Sequence, residues 1–556
     1  IRLDSPHMVQ TLLNRSKKIL ETEHKSILSA AFVIAASYLA SALLGLVRNH
    51  LLAARFFGGM EADLDVYFAA FVLPDTIFQL LVVGAVSAAF IPIFQDHLAG
   101  SKAEAAHLAN AALTTISLIL FALTTILIIF ARPIAGVLAH YSPEKLDLMA
   151  NLIRIMALAQ ILFTLSAFLT GILQAQRRFL IPAIAPLLYN LGTIIGIYFF
   201  SSRFGIYAAA FGVVLGAFLH VLVQLPLVAH LGFTPRPVIH PRYPGVLTML
   251  RLMPPRALAL GLDQIERWVA VNLTSLLAAG SLSIFNFARQ LYALPVSLFG
   301  VSLSQASFPA LADEAAHSDL TKFKQTLAKS LSQIFFFALP ASILVLILRI
   351  PLVRLAFGAR TFPWEATLLT GKSLAFLALS IAPLAVTQVL VRAFHALKDT
   401  RRPLYVGAFT MIIFTLSATY ASRSAGYGVL GITAAMSLSN YLDFIFLYLL
   451  LRRRIGSLAI TWRLTKMIIA SGATAFALWL PMRLLDQFVF DTTRTLPLIV
   501  LTLIVSLVGF LVYLIFCKIL RIEELADVAA LVKKLGNWRR ILGESDEVIE
   551  PPVSAS

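Results

Sequence analysis

Charge is scarce in this chain and cysteine almost absent. Only 13% of its 556 residues are Asp, Glu, Lys or Arg, about half the charge of an ordinary soluble domain. The single cysteine, Cys517, sits in an apolar run, so neither a disulfide framework nor a thiolate metal site is available. No G-x-x-x-x-G-K-[ST] loop is present to cradle ATP phosphates, and no His, Cys and carboxylate set has metal-ligand spacing. No stretch reads as a cleavable signal peptide, since the basic N-terminal region leads straight into an apolar run. ATP-driven pumps, metalloenzymes and disulfide-rich secreted folds are therefore poor descriptions. The residues imply no cofactor and no metal; any driving force comes from a coupling ion (Na+ or H+) or the membrane potential.

What the chain has is hydrocarbon. Hydrophobic residues make up 59% and mean hydropathy is +0.86. Apolar stretches of about 20 residues, each enough to cross roughly 30 Å of bilayer, recur along its length. The expected fold class is an all-α polytopic membrane protein. Runs bounded by charge, Gly or Pro give fourteen transmembrane helices, at about 27–57, 62–95, 105–131, 147–176, 180–201, 205–231 and 246–278 in the first half. The others are 281–311, 324–350, 364–396, 403–421, 427–451, 464–486 and 495–519. Pro74, Gly84 and Pro92 bend the second, and Pro254-Pro255 interrupts the seventh.

The formal charge of +17 would suggest nucleic acid in a soluble chain. Here the positive residues gather in the even-numbered connections, at Lys102, Arg177-Arg178, Arg236, Arg242, Lys398, Arg401-Arg402 and Arg452-Arg453-Arg454. Positive loops stay in the cytoplasm, which places both termini there and removes any nucleic-acid partner.

A duplication organises the spans. Leu73-Pro74 recurs at Leu294-Pro295, Pro182 at Pro403 and Gly205 at Gly426, each 221 residues on. Six spans per copy keep both copies in one orientation, so two six-helix bundles are expected, related by a parallel pseudo-two-fold. The divisions are a cytoplasmic segment 1–26, bundles 27–231 and 246–451, an extra helix pair 464–519 and a cytoplasmic tail 520–556. The tail reads as a short amphipathic helix and then an acidic, disordered end. Two bundles around one cleft are the arrangement of an alternating-access transporter.

Several spans carry groups that are costly at membrane depth and are functional candidates for that reason. Arg48 and Asn49 lie in span one, Asp65 in span two, Asp263, Glu266 and Arg267 in span seven and Arg289 in span eight. Counting 1.5 Å per residue puts Arg48 about 14 Å and Arg289 about 12 Å below the outer surface, one in each bundle. Two guanidinium groups facing one cleft make a cationic clamp suited to phosphate oxygens. Against this stand local explanations. An arginine can pair with a nearby carboxylate or reach up to the interface. Asp263, Glu266 and Arg267 can neutralise one another, and Asp65 can be an interfacial cap. Arg251 and Arg256 read as positive-inside anchors, and His220 and Asp443 as hydrogen-bonding groups within their bundles.

GLVRNHLLAARFFGGMEADLDVYFAAFVLP, QAQRRFLIPAIAPLLYN and FNFARQLYALPVSLFGVSLSQASFPAL resemble the MurJ (MviN) lipid II flippases. That family lies within the multidrug/oligosaccharidyl-lipid/polysaccharide exporter superfamily. The resemblance implies a transporter that moves a polyprenyl-diphosphate lipid-linked sugar, the peptidoglycan precursor, across the inner membrane of a bacterium. It implies headgroup-binding roles for Arg48 and Arg289, a match for Asp65, and a lipid-tail groove at the extra helix pair. Membrane lipids are the other partners, and the protein is expected to be a monomer. Ala42, Asn49, Phe78, Gln79 and Val83 stand where the family carries charge, so the cavity is less charged than the family norm. Flipping of another polyprenyl-diphosphate oligosaccharide, of O-antigen or capsule type, is the nearest alternative reading. A cation-coupled drug exporter and a non-transporting scaffold are further ones. An arginine pair argues against export of organic cations, and a scaffold would make the cavity residues dispensable.

Overall fold

The computed structural model describes residues 27–83, 89–458 and 460–526. Side chains at 27–36, 38, 83, 255–260 and 263 lie outside that description. The expected segment 1–26 and most of the expected tail fall outside the described residues, as does Gly84.

Among the described residues the molecule is helical throughout. The first half runs α1 (Ile27–Phe56), α2 (Glu61–Phe78), a π-helical turn (Gln79–Val83) and α3 (Ile91–Gly100). Next come α4 (Lys102–Ile129), α5 (Ala131–Leu138), α6 (Pro143–Ala175), α7 (Leu180–Phe204), α8 (Tyr207–Leu222) and α9 (Leu225–His230). The second half opens with α10 (Pro244–Thr274), α11 (Ser281–Pro295), a second π-helical turn (Val296–Val301) and α12 (Ser302–Ala316). It continues with α13 (Leu320–Ile347), α14 (Arg349–Phe357), α15 (Trp364–Leu379), α16 (Ile381–Ala396), α17 (Arg401–Thr419) and α18 (Gly428–Ile455). The last pair is α19 (Thr461–Phe488) and α20 (Thr495–Ile519).

Eleven of the described helical segments are long and apolar enough to cross a membrane, or twelve if α15 and α16, bent by 44°, form one span. The long helices α1 and α10 stand outside that count. Arg251, Arg256, Asp263, Glu266 and Arg267 make α10 too polar for it. The expected interruption at Pro254-Pro255 does not occur, for α10 is assigned as one helix from Pro244 to Thr274. Prolines are tolerated inside membrane helices because neighbouring groups take up the freed carbonyls. Instead breaks fall at Ser380 and at three π-helical turns: one after Leu73-Pro74, one after Leu294-Pro295, and a third at Tyr420–Ser424. The short helices α5 and α14 fill connections that the sequence reads as loops.

α7 and α8 touch along glycines. A Cβ on Gly216 would meet the Tyr189 carbonyl oxygen at 2.4 Å, and one on Gly192 would meet Gly216 Cα at 2.5 Å. Only hydrogen fits there, so the two backbones lie in direct contact.

Turns from both halves of the chain meet at one rim. α1 ends at Gly58 and Gly59, whose φ values of +91° and +123° favour glycine. A Cβ on Gly58 would come within 2.9 Å of the Thr361 carbonyl oxygen. Thr361 Oγ1 donates to Ala54 O at 2.8 Å, and the backbone N–H of His140 donates to Ser275 Oγ at 2.9 Å. Phe57 and Phe362 meet edge to face beside them.

At the opposite side the connection between α9 and α10 is strapped to α4. Asn110 accepts from the N–H of Arg236 at 3.0 Å and donates to Thr234 O at 3.3 Å. Thr114 Oγ1 accepts from the N–H of Val238 at 2.9 Å, and His107 Nε2 lies 3.2 Å from His240 Nδ1. Positions 107, 110 and 114 share one helix face, and it engages every second residue of an extended strand of chain.

Candidate functional site

Arg48 and Asn49 of span one, Glu266 and Arg267 of span seven and Arg289 of span eight lie in a chain of contacts running from α1 to α11. Arg48 donates from Nε to Asn49 Oδ1 at 3.1 Å and from Nη1 to Asn190 Oδ1 of α7 at 3.2 Å. Asn190 is held in turn by donating to Ser41 Oγ at 3.1 Å and Pro186 O at 3.2 Å. Among the described residues no carboxylate forms an ion pair with Arg48. Asn49, buried at 6% exposure, donates from Nδ2 to Gln290 Oε1 of α11. The sequence neighbours of Arg48 and Arg289 therefore touch each other. Gly45 lies one turn before Asn49; a Cβ there would sit 3.9 Å from both Asn190 Oδ1 and Gln290 Nε2.

Arg289 lies 3.6 Å from Glu266 Oε1 of α10, and its guanidinium carbon is 5.6 Å from the centre of the Phe285 ring. At 3.6 Å the pair is an electrostatic contact rather than a hydrogen bond. Both side chains keep about a quarter of their surface open, which leaves donor positions for a ligand.

In span seven Glu266 and Arg267 reach partners on other helices. Arg267 donates to Asp75 Oδ2 of α2 at 2.7 Å, and Glu266 turns instead to Arg289. Adjacent residues on a helix point about 100° apart, so Glu266 and Arg267 reach different neighbours. Gln79 donates to the other Asp75 oxygen at 3.5 Å. Next to this pair Trp268 Nε1 donates to Thr76 Oγ1, and Thr76 Oγ1 donates to Gln264 Oε1, both at 3.1 Å. The side chain of Asp263 lies outside the described residues.

Asp65 does not join this group. It is 2% exposed and caps the start of α11 from another helix. The N–H of Gly280 donates to Oδ2 at 2.8 Å; the N–H and Oγ of Ser283 donate to Oδ1 at 2.7 and 2.6 Å. A carboxylate there meets the positive end of the helix dipole and satisfies orphan N–H groups. This cap lies at a buried inter-helix joint. Asp63 next to it pairs with Lys145 of α6.

His220 and Asp443 have partners on neighbouring helices of their own halves. His220 shares a hydrogen bond with Ser166 Oγ at 2.5 Å, and Gln224 donates to the same hydroxyl. Thr410 donates to Asp443 Oδ1 at 2.8 Å. His50 Nδ1 donates to Ala356 O at 3.0 Å, tying α1 to α14. Among the described residues no three His, Cys, Asp or Glu side chains gather closely enough to hold a metal ion.

Sequence reasoning missed Asn190, which holds Arg48, and Gln290, which meets Asn49. Each is an uncharged polar residue within a span, and that signal alone would have marked both. It also missed the buried set in the second half, where Asn440 donates to the Tyr292 hydroxyl at 2.9 Å and to Ser380 Oγ at 3.1 Å.

The family model described as lipid II flippase MurJ matches residues 53–513. A probable lipid II flippase MurJ from Thermotoga maritima is 28% identical over 491 residues, 88% of this chain and 95% of that protein. The lipid II flippase MurJ of Burkholderia cenocepacia is 27% identical over 439 residues, 76% of this chain and 84% of its own. Among solved structures, a lipid II flippase MurJ in an inward closed conformation aligns with TM-score 0.72 and 25% identity. That alignment covers 88% of this chain and 98% of the other. An inward-facing MATE-family multidrug transporter of the MOP superfamily shares the fold, with TM-score 0.64 and 16% identity over 76% of this chain and 96% of its own.

Proposed function

This chain belongs to the lipid II flippase MurJ family, and from that premise we propose that it carries undecaprenyl-diphosphate-linked peptidoglycan precursor from the inner to the outer leaflet. It is an integral protein of the bacterial inner membrane and a transporter, not an enzyme.

One observation carries the mechanism. Arg48 and Arg289 flank the Asn49–Gln290 contact; among the described residues Arg48 is held by uncharged groups, the Asn49 and Asn190 amides and the Tyr189 hydroxyl, and Arg289 by one long carboxylate contact. A diphosphate offers charged oxygens to both forks, and charge-assisted bonds are about twice as strong as neutral ones. The headgroup would displace the amides from Arg48 and Glu266 from Arg289. Arg267 and Asp75 hold α10 against α2 beside that site, and Asp65 latches the rim above it. Asn49 and Glu266 are thus the groups that yield to substrate.

The movement we propose is rocking of two six-helix bundles, 27–231 and 246–451, about the central seam. With α1 and α10 as spans, and α15 and α16 as one, the chain crosses the bilayer fourteen times. The positive even-numbered connections support cytoplasmic termini. The rim latched by Asp65 is then the outer one, and the state described is closed to the outside. The pair α19–α20 serves as a groove for the polyprenyl tail. The protein works as a monomer, drawing on the membrane potential or on coupling to Na+ or H+.

The test pairs function with binding. Arg48→Ala and Arg289→Ala should each abolish rescue of a flippase-depleted cell while the protein accumulates normally in the membrane. Full rescue by both variants refutes the clamp. Native mass spectrometry of the purified protein should retain lipid II over other polyprenyl diphosphates. Equal retention would favour a flippase for a different lipid-linked oligosaccharide.

A further inference from the structure

A cavity of about 400 Å³ lies on the seam between the two halves, away from the arginines. Leu73, Ile134 and Leu138 wall it on one side, and Ile265, Val269 and Leu273 on the other. We propose that this cavity is a binding site for one acyl chain of a membrane phospholipid, lodged between α2 and α5 on one side and α10 and α17 on the other.

Depth is the first argument. Leu138, Leu273 and Thr419 lie at the helix ends that form the closed rim, whereas Ile265 is eight residues further down α10. At 1.5 Å per residue the cavity descends about 12 Å from the rim. One leaflet of a hydrocarbon core about 30 Å thick is about 15 Å deep. The cavity thus has the depth of a single leaflet and stops near the bilayer centre.

Its chemistry is the second. The polar side chains in the lining are Trp268, Asn272, Thr415 and Thr419, and all are already donating. Trp268 Nε1 donates to Thr76 Oγ1 at 3.1 Å and Asn272 Nδ2 to Leu138 O at 3.3 Å. Thr415 and Thr419 donate to Met411 O at 2.9 Å and Thr415 O at 2.7 Å. With those donors engaged elsewhere, the groove presents mainly apolar surface, which favours an apolar occupant over ordered water. Val137, 81% exposed beside the opening, and Ile265, 43% exposed, give hydrocarbon a way in from the side. A void this large between moving parts forfeits contacts on both walls, and a chain of methylenes restores them.

The position gives the lipid a consequence. Ile265, Trp268 and Val269 form the wall, while Glu266 and Arg267 between them reach Arg289 and Asp75. A chain in the cavity therefore braces α10 from behind while its charged residues engage the arginine site.

Trp268 supplies the probe. In a variant keeping Trp268 with the chain's other tryptophans replaced by Phe, reconstitution into vesicles of phosphatidylcholine with dibrominated acyl chains should quench most of the emission. The same measurement with Trp479 alone, on lipid-facing α19, gives the reference for ordinary bilayer contact. Filling the cavity by Val269→Phe with Thr415→Phe should abolish quenching of Trp268 and leave that of Trp479 unchanged. Unquenched emission from Trp268 in the unfilled protein overturns the proposal, whether the cavity is wet or shut. So does equal quenching in the filled variant.

Discussion

Replacing Asp65 by Asn should open the rim. The carboxylate accepts three hydrogen bonds from the start of α11, two of them from backbone N–H groups. Asn keeps one acceptor for Ser283, but its amide nitrogen then faces the Gly280 N–H, donor against donor. Hydrogen bonds to a charged acceptor contribute about 1.5–3 kcal/mol each, and a buried N–H left without a partner costs about 1–3 kcal/mol. Water and the remaining acceptor recover part of that when the rim separates. A net loss of about 2–3 kcal/mol from the closed state shifts the closed-to-open ratio about 30- to 150-fold. Spin labels at Glu144→Cys, on the first turn of α6, and Arg360→Cys, beside Thr361, report the separation across the rim. Cys517 is buried and should not compete for label. Electron–electron distance measurements should show a growing long-distance population in Asp65→Asn and not in the parent. Identical distributions would refute the view that this carboxylate holds the rim.

Two further outcomes follow from contacts elsewhere. Arg267→Ala strands Asp75, whose side chain is 14% exposed, and should lower thermal stability in detergent by about 1–3 kcal/mol. The double variant with Asp75→Ala should recover most of that loss, and equal melting of single and double variants would count against a net attractive pair. Gly216→Ala drives a methyl into the Tyr189 carbonyl and should cost about 1–3 kcal/mol by forcing α7 and α8 apart. An unchanged melting curve would show that the seam can relax.

The helical architecture was legible because hydrocarbon thickness imposes a length on every span, and runs such as 320–347 and 495–519 meet it without ambiguity. The Leu-Pro landmarks at 73–74 and 294–295 were legible too, yet not their meaning. Each is followed by a π-helical turn, and a widened hydrogen-bond register leaves no trace in hydropathy. The break at Ser380 escaped for the same reason, since Leu379-Ser380-Ile381 reads as continuous span. The cost of burying charge marked Arg48, Glu266, Arg267 and Arg289, which the contacts link, and also Asp65, which caps α11 instead. Their partners were not readable, because Arg267 finds Asp75 and Asp65 finds Gly280 at separations of 192 and 215 residues. Nearness in sequence suggested that Glu266 and Arg267 neutralise each other, and helix geometry sends them to different neighbours.

The strapped connection between α9 and α10 has a mechanical consequence. A loose tether would let one half of the molecule drift relative to the other, limited only by its reach. With Thr234, Arg236, Val238 and His240 fastened to α4, Tyr243 packed on His107, and Val246 and Met249 buried in the first-half core, the connection itself has no free play. The start of α10 is thereby anchored to the first half, so a relative movement of the halves has to be taken up beyond it.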